Sequence, residues 1–225
     1  MCGRFAQQRP ASELAELFSA EPLADELGPQ FNIAPTDAAC VVVERNDRRA
    51  IVAYRWGLIP HWADRHTVGG ARAINARAET LARSPLFRES FRRRRCLVPV
   101  DAFYEWGRQD SVRQPYAIRR IDGEPLALAG LWSGWRDPSS GEVRRTFTIV
   151  TTEANELIAP LHDRMPVLVA PDAWARWLEP APRDPGELNG LLVPAPGAGL
   201  FVYPVGRAVN DVRNEGPELL EPLAS

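Results

Sequence analysis

The chain has 225 residues, 45% of them hydrophobic and 25% charged, with a formal net charge of -2, the composition of an ordinary folded domain. No apolar run approaches the ~18 residues of a membrane span, and no basic-then-apolar leader opens the chain, so neither a membrane span nor export is expected. Three cysteines without C-x-x-C spacing speak against a disulfide framework and a zinc knuckle, and a reducing, cytoplasmic location is expected.

The chain opens MCGRFA. Packing rarely demands a particular side chain at position 2. Once Met1 is removed, however, Cys2 carries a free α-amine beside its thiol. All 27 basic residues are arginine, so that amine would be the one aliphatic amine in the molecule. Next, SELAELFSA has amphipathic spacing and predicts a short helix with Ser12 as N-cap. In FNIAPTD, Asn32 and Pro35 have the chemistry to shape a loop. CVVVERNDRRAIVAYRWGLIP predicts two strands around an Asn46-Asp47 turn. Cys40, like Cys96 further on, opens an apolar run and is expected to be a buried core thiol. WGLIPHW sets Trp56 and Trp62 among arginines, a pattern shared by base-stacking surfaces and by the edge of a core.

Charge is unevenly placed. Residues 45–95 hold 13 arginines against four acidic residues, a net of +9, while residues 1–44 come to -5 and residues 96–225 to -6. A local anionic partner, nucleic acid first, fits this middle third, because guanidinium forks match phosphate oxygens. A solvated charged face fits it equally.

Within that third, INARAET alternates: as a strand it turns Asn75, Arg77 and Glu79 one way and Ala76 and Ala78 the other. The polar row either binds a substrate or faces water. SPLFRESFRRRR predicts a helix with Pro85 near its first turn. In FYEWG, Glu105 shares aromatic surroundings that raise a carboxyl pKa toward neutrality, unless an arginine pairs with it. CLVPVD, PYAIRR, LALAGLWSGW, FTIVTTEA and MPVLVA all predict strands. LHDRMP places His162 at an element junction, with Arg164 on the same face if the segment is extended. His162 is there a chemical group or a structural one, and no histidine–carboxylate spacing marks a metal site. PDAWARWLE predicts a second helix led by Pro171 and Asp172, and the segment after about residue 205 is expected to wrap the surface. Strands outnumber helices without regular alternation. The expectation is a single α+β domain, residues 2–220, on a curved, barrel-like, mostly antiparallel β-sheet core with peripheral helices, followed by a tail at 221–225.

MCGRF, NIAP, WGLIP, INARAET, RCLVP, FYEWG, FTIVTTEAN, HDRMPV and AVNDVRNEGPELL occur in that order across the chain. Together they resemble the SRAP family, the SOS-response-associated peptidase domain that crosslinks abasic sites in single-stranded DNA. The resemblance implies an active site at Cys2, Asn75, Glu105 and His162. It implies DNA contacts at Arg4, Asn32, Arg77, Thr151 and Arg164, with Pro35 and Trp62 wedged against bases beside the lesion. Ala102 departs from the glycine usual before the Y-E-W stretch. The ADRHTVGGARA segment is longer than in close bacterial relatives, and Pro85 replaces a basic residue for which Arg83 and Arg88 are the candidate substitutes.

The implied activity is a crosslinking, lyase-like reaction on an abasic-site aldehyde, without cofactor or metal, by a monomer whose partner is single-stranded DNA containing abasic sites. The Cys2 amine would form an imine and its thiol would close a thiazolidine ring. Glu105 would shuttle protons, His162 would assist opening of the sugar, and Asn75 would orient Cys2 or the aldehyde oxygen. Two alternatives stand beside it: a Cys2/His162 thiol (auto)peptidase, and a non-covalent reader of modified bases in DNA, which leaves Cys2 unexplained.

Overall fold

Most of the regular structure is strand. The computed structural model describes residues 2–24, 27–64, 73–109, 112–181 and 184–223. Its strands are β1 (Phe5–Gln7), β2 (Ala20–Pro22), β3 (Gln30–Ile33), β4 (Ala38–Arg45), β5 (Arg48–Trp56), β6 (Asn75–Arg77) and β7 (Arg95–Val100). They continue with β8 (Ala102–Gln109), β9 (Val112–Arg120), β10 (Leu126–Arg136), β11 (Val143–Glu153), β12 (Arg164–Pro166) and β13 (Leu200–Pro204). The α-helices are short: α1 (Ala11–Phe18), α2 (Arg88–Arg93), α3 (Trp174–Leu178) and α4 (Pro185–Leu188).

β4 and β5 form the predicted hairpin, with Asn46 (φ 49°) and Asp47 (φ 60°) both left-handed, the conformation a two-residue turn needs between twisted strands. Antiparallel pairing continues from β4 to β7, β10 and β11. β11 then pairs in parallel with β5, through Thr146 opposite Arg55 and Phe147 opposite Trp56, and this closes five strands into a mixed barrel. Closure leaves no edge along that ring. β6 and β12 extend β11 on its two sides: Thr151 is opposite Arg77 in one and Pro166 in the other. A second sheet runs β13-β9-β8-β1-β3.

Strand alternation divides the core. Val42, Leu97 and Val150 pack with Leu14, Phe18, Phe91 and Trp177 of the helices. Val41, Val98 and Ile149 point the other way and pack with Phe5, Phe103 and Ile118 of the second sheet. Cys40 and Cys96 are buried in these clusters as expected.

Several local expectations give way to tertiary packing. Helix α1 begins at Ala11 after Pro10, with no side-chain cap, so Ser12 lies inside it. INARAET is strand only to Arg77, where pairing with β11 ends; Ala78–Thr80 is a single 3-10 turn, and the three-residue polar row is broken. The FRESFRRRR helix spans only Arg88–Arg93, with Pro85 ahead of it, and PDAWARWLE divides into a 3-10 turn and α3. Trp56 is fully buried and donates its Nε1–H to the Ile74 carbonyl (2.9 Å), so of the two tryptophans of WGLIPHW only Trp62, 56% exposed, faces solvent. The tail is fastened as far as Leu223, whose N–H donates to the Pro204 carbonyl (2.9 Å). Most of the ADRHTVGGARA segment lies outside the described residues.

Candidate active site

The chain start is carried into the fold by β1. Phe5 lies opposite Phe103 and Ala6 opposite Ala102, and the Tyr104 N–H donates to the Arg4 carbonyl (3.0 Å). Continuing that register sets Gly3 opposite Glu105, so the first residues run beside this carboxyl group. Cys2 is fully buried and belongs to the core cluster that also holds Phe5 and Phe103. Asn75, held opposite Ile149 by the β6–β11 pairing, donates its Nδ2–H to the Cys2 carbonyl (2.8 Å). The Oδ1 of Asn75 is buried and accepts no hydrogen bond among the described residues, an acceptor available at the site.

Burial dominates the electrostatics. It pushes the Glu105 carboxyl above the usual carboxylate range, so a carboxyl that is only 2% exposed can hold or release a proton nearer neutrality. It pushes the Cys2 thiol far above its ordinary value, and the nearby Glu105 charge adds to the rise. The thiol at this site is therefore neutral at pH 7.

His162 comes from a helical turn. Its N–H donates to the Ile158 carbonyl (3.1 Å), and the turn is started by Asn155, whose Oδ1 accepts from the Leu157 (3.2 Å) and Ile158 (3.0 Å) N–H groups. The turn lies tight on β8: a Cβ on Gly107 would stand 2.7 Å from Leu161 Cδ2. The His162 Nδ1 accepts the Arg164 N–H (2.9 Å) and also lies 2.7 Å from Asp163 Oδ1. It cannot accept from one and donate to the other. Burial lowers the imidazole pKa, and the Asp163 side chain is 87% exposed, so the neutral ring bonded to Arg164 is the state that fits, with its proton on Nε2.

The residues expected to touch DNA fall into three groups. Trp62 and Arg77 are exposed, and Pro35 is half-buried beside Thr36, whose φ of 86° is strained for a β-branched residue. Arg164 donates both terminal nitrogens to Glu79 (2.7 and 3.0 Å). Arg4 and Asn32 are bound to each other: Arg4 Nη1 donates to Asn32 Oδ1 (2.7 Å) and to the Val209 carbonyl (2.9 Å), and Asn32 Nδ2 donates to the Asp211 and Asn214 carbonyls (both 2.9 Å). Asn32 is fully buried, so its side chain ties Arg4 to the 211–214 turn and does not meet solvent. Thr151 is also fully buried, and its carbonyl receives Arg164 Nη2 (2.7 Å).

Sequence reading missed Asn155, Gly107 and the turn at Asp211–Asn214. Asn155 and the turn lay inside the quoted motifs FTIVTTEAN and AVNDVRNEGPELL; Asn155 starts its turn through neighbours two and three residues on, whereas the 211–214 turn is tied to Asn32, up to 182 residues away. A cavity of about 740 Å³ lies elsewhere, lined by Leu168, Val169, Leu191, Val193 and Leu200, and includes none of the expected site residues. Among the described residues no cluster of three His, Cys, Asp or Glu side chains is placed to hold a metal. No helix among them is long and apolar enough to cross a membrane.

The sequence profile of the SOS response associated peptidase (SRAP) family matches residues 1–212. The abasic site processing protein YoqW of Bacillus subtilis is 37% identical over 224 residues, covering 98% of this chain and 99% of that protein. The abasic site processing protein YedK of Escherichia coli is 30% identical over 232 residues, covering 99% of this chain and 100% of that protein. In three dimensions, a crystal structure of a Bacteroides thetaiotaomicron protein matches 99% of this chain and 100% of its own with a TM-score of 0.90 at 24% identity, a likeness of fold. The whole-length match in sequence and the agreement in fold make this chain a member of the SOS response associated peptidase family.

Proposed function

We propose that this protein captures abasic sites in single-stranded DNA as a covalent thiazolidine, through the α-amine and thiol of Cys2 after removal of Met1. The observation that carries the reading is the pinning of Cys2 beside Glu105, with its carbonyl held by Asn75 at 2.8 Å. A buried thiol could fill a core at many positions, whereas an aldehyde-capturing aminothiol must sit at position 2. The names of the curated relatives support the same substrate.

The steps balance without a cofactor. The Cys2 nitrogen attacks C1′ of the ring-opened sugar, and loss of water leaves an imine. The sulfur then adds to the imine carbon, its proton passes to the imine nitrogen, and the five-membered ring closes. An α-amine with pKa ~7.7–8.0 is roughly 10–20% neutral at pH 7, so a local base speeds the first step. Glu105, with its raised pKa, accepts that proton, returns it to the departing hydroxyl, and relays the thiol proton during ring closure. Asn75 orients the amine through the Cys2 carbonyl. His162, neutral with its proton on Nε2, donates a hydrogen bond to the sugar oxygen as the ring opens. A thiolate–imidazolium peptidase pair needs the opposite shifts, a lowered thiol pKa and a raised imidazole pKa.

The test is a single-stranded oligonucleotide with one abasic site, incubated with protein and run on a denaturing gel. A heat-stable shifted band is expected for the wild type and none for Cys2→Ala. A stable adduct with Cys2→Ala would overturn the aminothiol mechanism. Intact mass should show Met1 absent in reactive protein, because a retained Met1 converts the Cys2 amine to an amide.

A further inference from the structure

Breaking the Asn75–Arg77–Glu79 row has a consequence for Arg164. The 3-10 turn swings Glu79 onto Arg164, whose Nη1 and Nη2 both donate to its carboxylate (2.7 and 3.0 Å). Nη2 also donates to the Thr151 carbonyl (2.7 Å), and Nε is buried. The guanidinium is thus held by the Thr151 carbonyl of the barrel, and both its terminal nitrogens are taken. Arg77 stands opposite Thr151 in the neighbouring strand and is exposed, and its charge also acts on Glu79. Two cations therefore flank one carboxylate, Arg77 on β6, the strand of Asn75, and Arg164 on β12, both paired to β11. Glu79 itself is 48% exposed against 12% for Arg164. A half-exposed carboxylate is within reach of an incoming anion, and a phosphate can take its place on the fork with the same two-point geometry.

We propose that Glu79 is a resident stand-in for a DNA phosphate. It occupies the Arg164 fork in the unbound protein and gives way to a backbone phosphate beside the lesion; this rests on the abasic-DNA reading above. Exchange of one anion for another lowers the affinity for any single strand. An intact strand then leaves, while a strand with an aldehyde is kept by the covalent step. Glu79 is in this sense a specificity-determining residue: it sets how far retention depends on chemistry and not on charge.

The measurement is binding of an intact single-stranded oligonucleotide by fluorescence anisotropy across a salt series, paired with the adduct gel on the abasic strand. Glu79→Gln is expected to bind the intact strand about 3–10-fold more tightly at low salt. Its plot of log affinity against log salt should be steeper by ~0.7, because no freed carboxylate takes up a cation when the phosphate arrives. Glu79→Asp keeps the charge and should keep the wild-type slope. The gain should vanish in the Glu79→Gln/Arg164→Gln double variant. Weaker or unchanged binding by Glu79→Gln, at an unchanged melting temperature, overturns the proposal, because Glu79 would then orient Arg164 or stand by. An equal gain from Glu79→Asp overturns it as well. Absence of any wild-type adduct sinks the parent reading instead, whatever Glu79 does.

Discussion

Arg95 and Arg164 both end in several hydrogen bonds, yet their regions of the molecule use them differently. Arg95, 2% exposed, donates to the carbonyls of Phe91 and Trp177 (both 2.7 Å) and of Glu179, around the ends of α2 and α3. These are helix-end carbonyls that lack intrahelical partners, and a cation there also answers the helix dipole. Backbone carbonyls cannot swing away, so Arg95 is fixed for the life of the fold. Arg164 keeps one backbone carbonyl, that of Thr151, but its other bonds end on a half-exposed side-chain carboxylate, which can. The difference separates a cation that holds the protein together from one that can be handed to a ligand, and neither charge count nor spacing distinguishes them.

The largest effect expected from breaking this division falls on the structural side. Arg95→Met removes the donor of the buried Phe91 and Trp177 carbonyls and one donor of the half-buried Glu179 carbonyl, and should cost about 4 kcal/mol in urea unfolding, at ~1–3 kcal/mol for each buried partner lost. The crosslinking rate per folded molecule should not change; a parallel loss of rate would mean that the two regions are coupled. On the site side, Asn75→Ala should slow adduct formation about 100-fold, near 2.7 kcal/mol, through lost orientation of the amine. Its melting temperature should fall by only a few degrees, about 1 kcal/mol for the one carbonyl that loses its donor, and its affinity for an intact strand should stay close to wild type. A smaller change is expected for Arg77→Ala: binding several-fold weaker, with a salt slope shallower by ~0.7. An unchanged slope would remove Arg77 from the phosphate contacts.

The smallest effect is a pH dependence at Glu105. Its folded pKa lies above its unfolded value, so between the two the folded state holds more protons and stability falls as pH rises. Wild type and Glu105→Gln should thus be closest in melting temperature below the ordinary carboxylate range. The wild type should lose ground to the variant as pH rises through the raised pKa. Parallel curves would show a carboxyl that titrates normally. Adduct formation, in contrast, should be slower in Glu105→Gln wherever the wild-type carboxylate can accept a proton.

Features fixed by neighbouring residues were legible. The Asn46-Asp47 hairpin depends on two residues that tolerate positive φ, and the buried thiols of Cys40 and Cys96 follow from the apolar runs that contain them. The strand at FYEWG and the environment of Glu105 could likewise be read from four adjacent residues. Features fixed by distant partners were not. Asn32 has the chemistry of a DNA contact, but three hydrogen bonds to Arg4, Asp211 and Asn214 turn it inward. Trp56 and Trp62 are six residues apart in one motif, and only the barrel decides that the first is core and the second surface.

By itself the sequence determined the strand-rich α+β class, the ordered run of SRAP motifs, and a cysteine at position 2 in a chain without lysine. All of these are properties of residue type and order. Tertiary structure alone decided that Asn75 meets the Cys2 carbonyl, that β6 stops at Arg77, and that Glu79 therefore lands on Arg164. The physical reason is that a strand lasts only while a neighbour pairs with it. For β6 that neighbour is β11, about 74 residues further along the chain, so no local pattern in INARAET could mark where the strand ends.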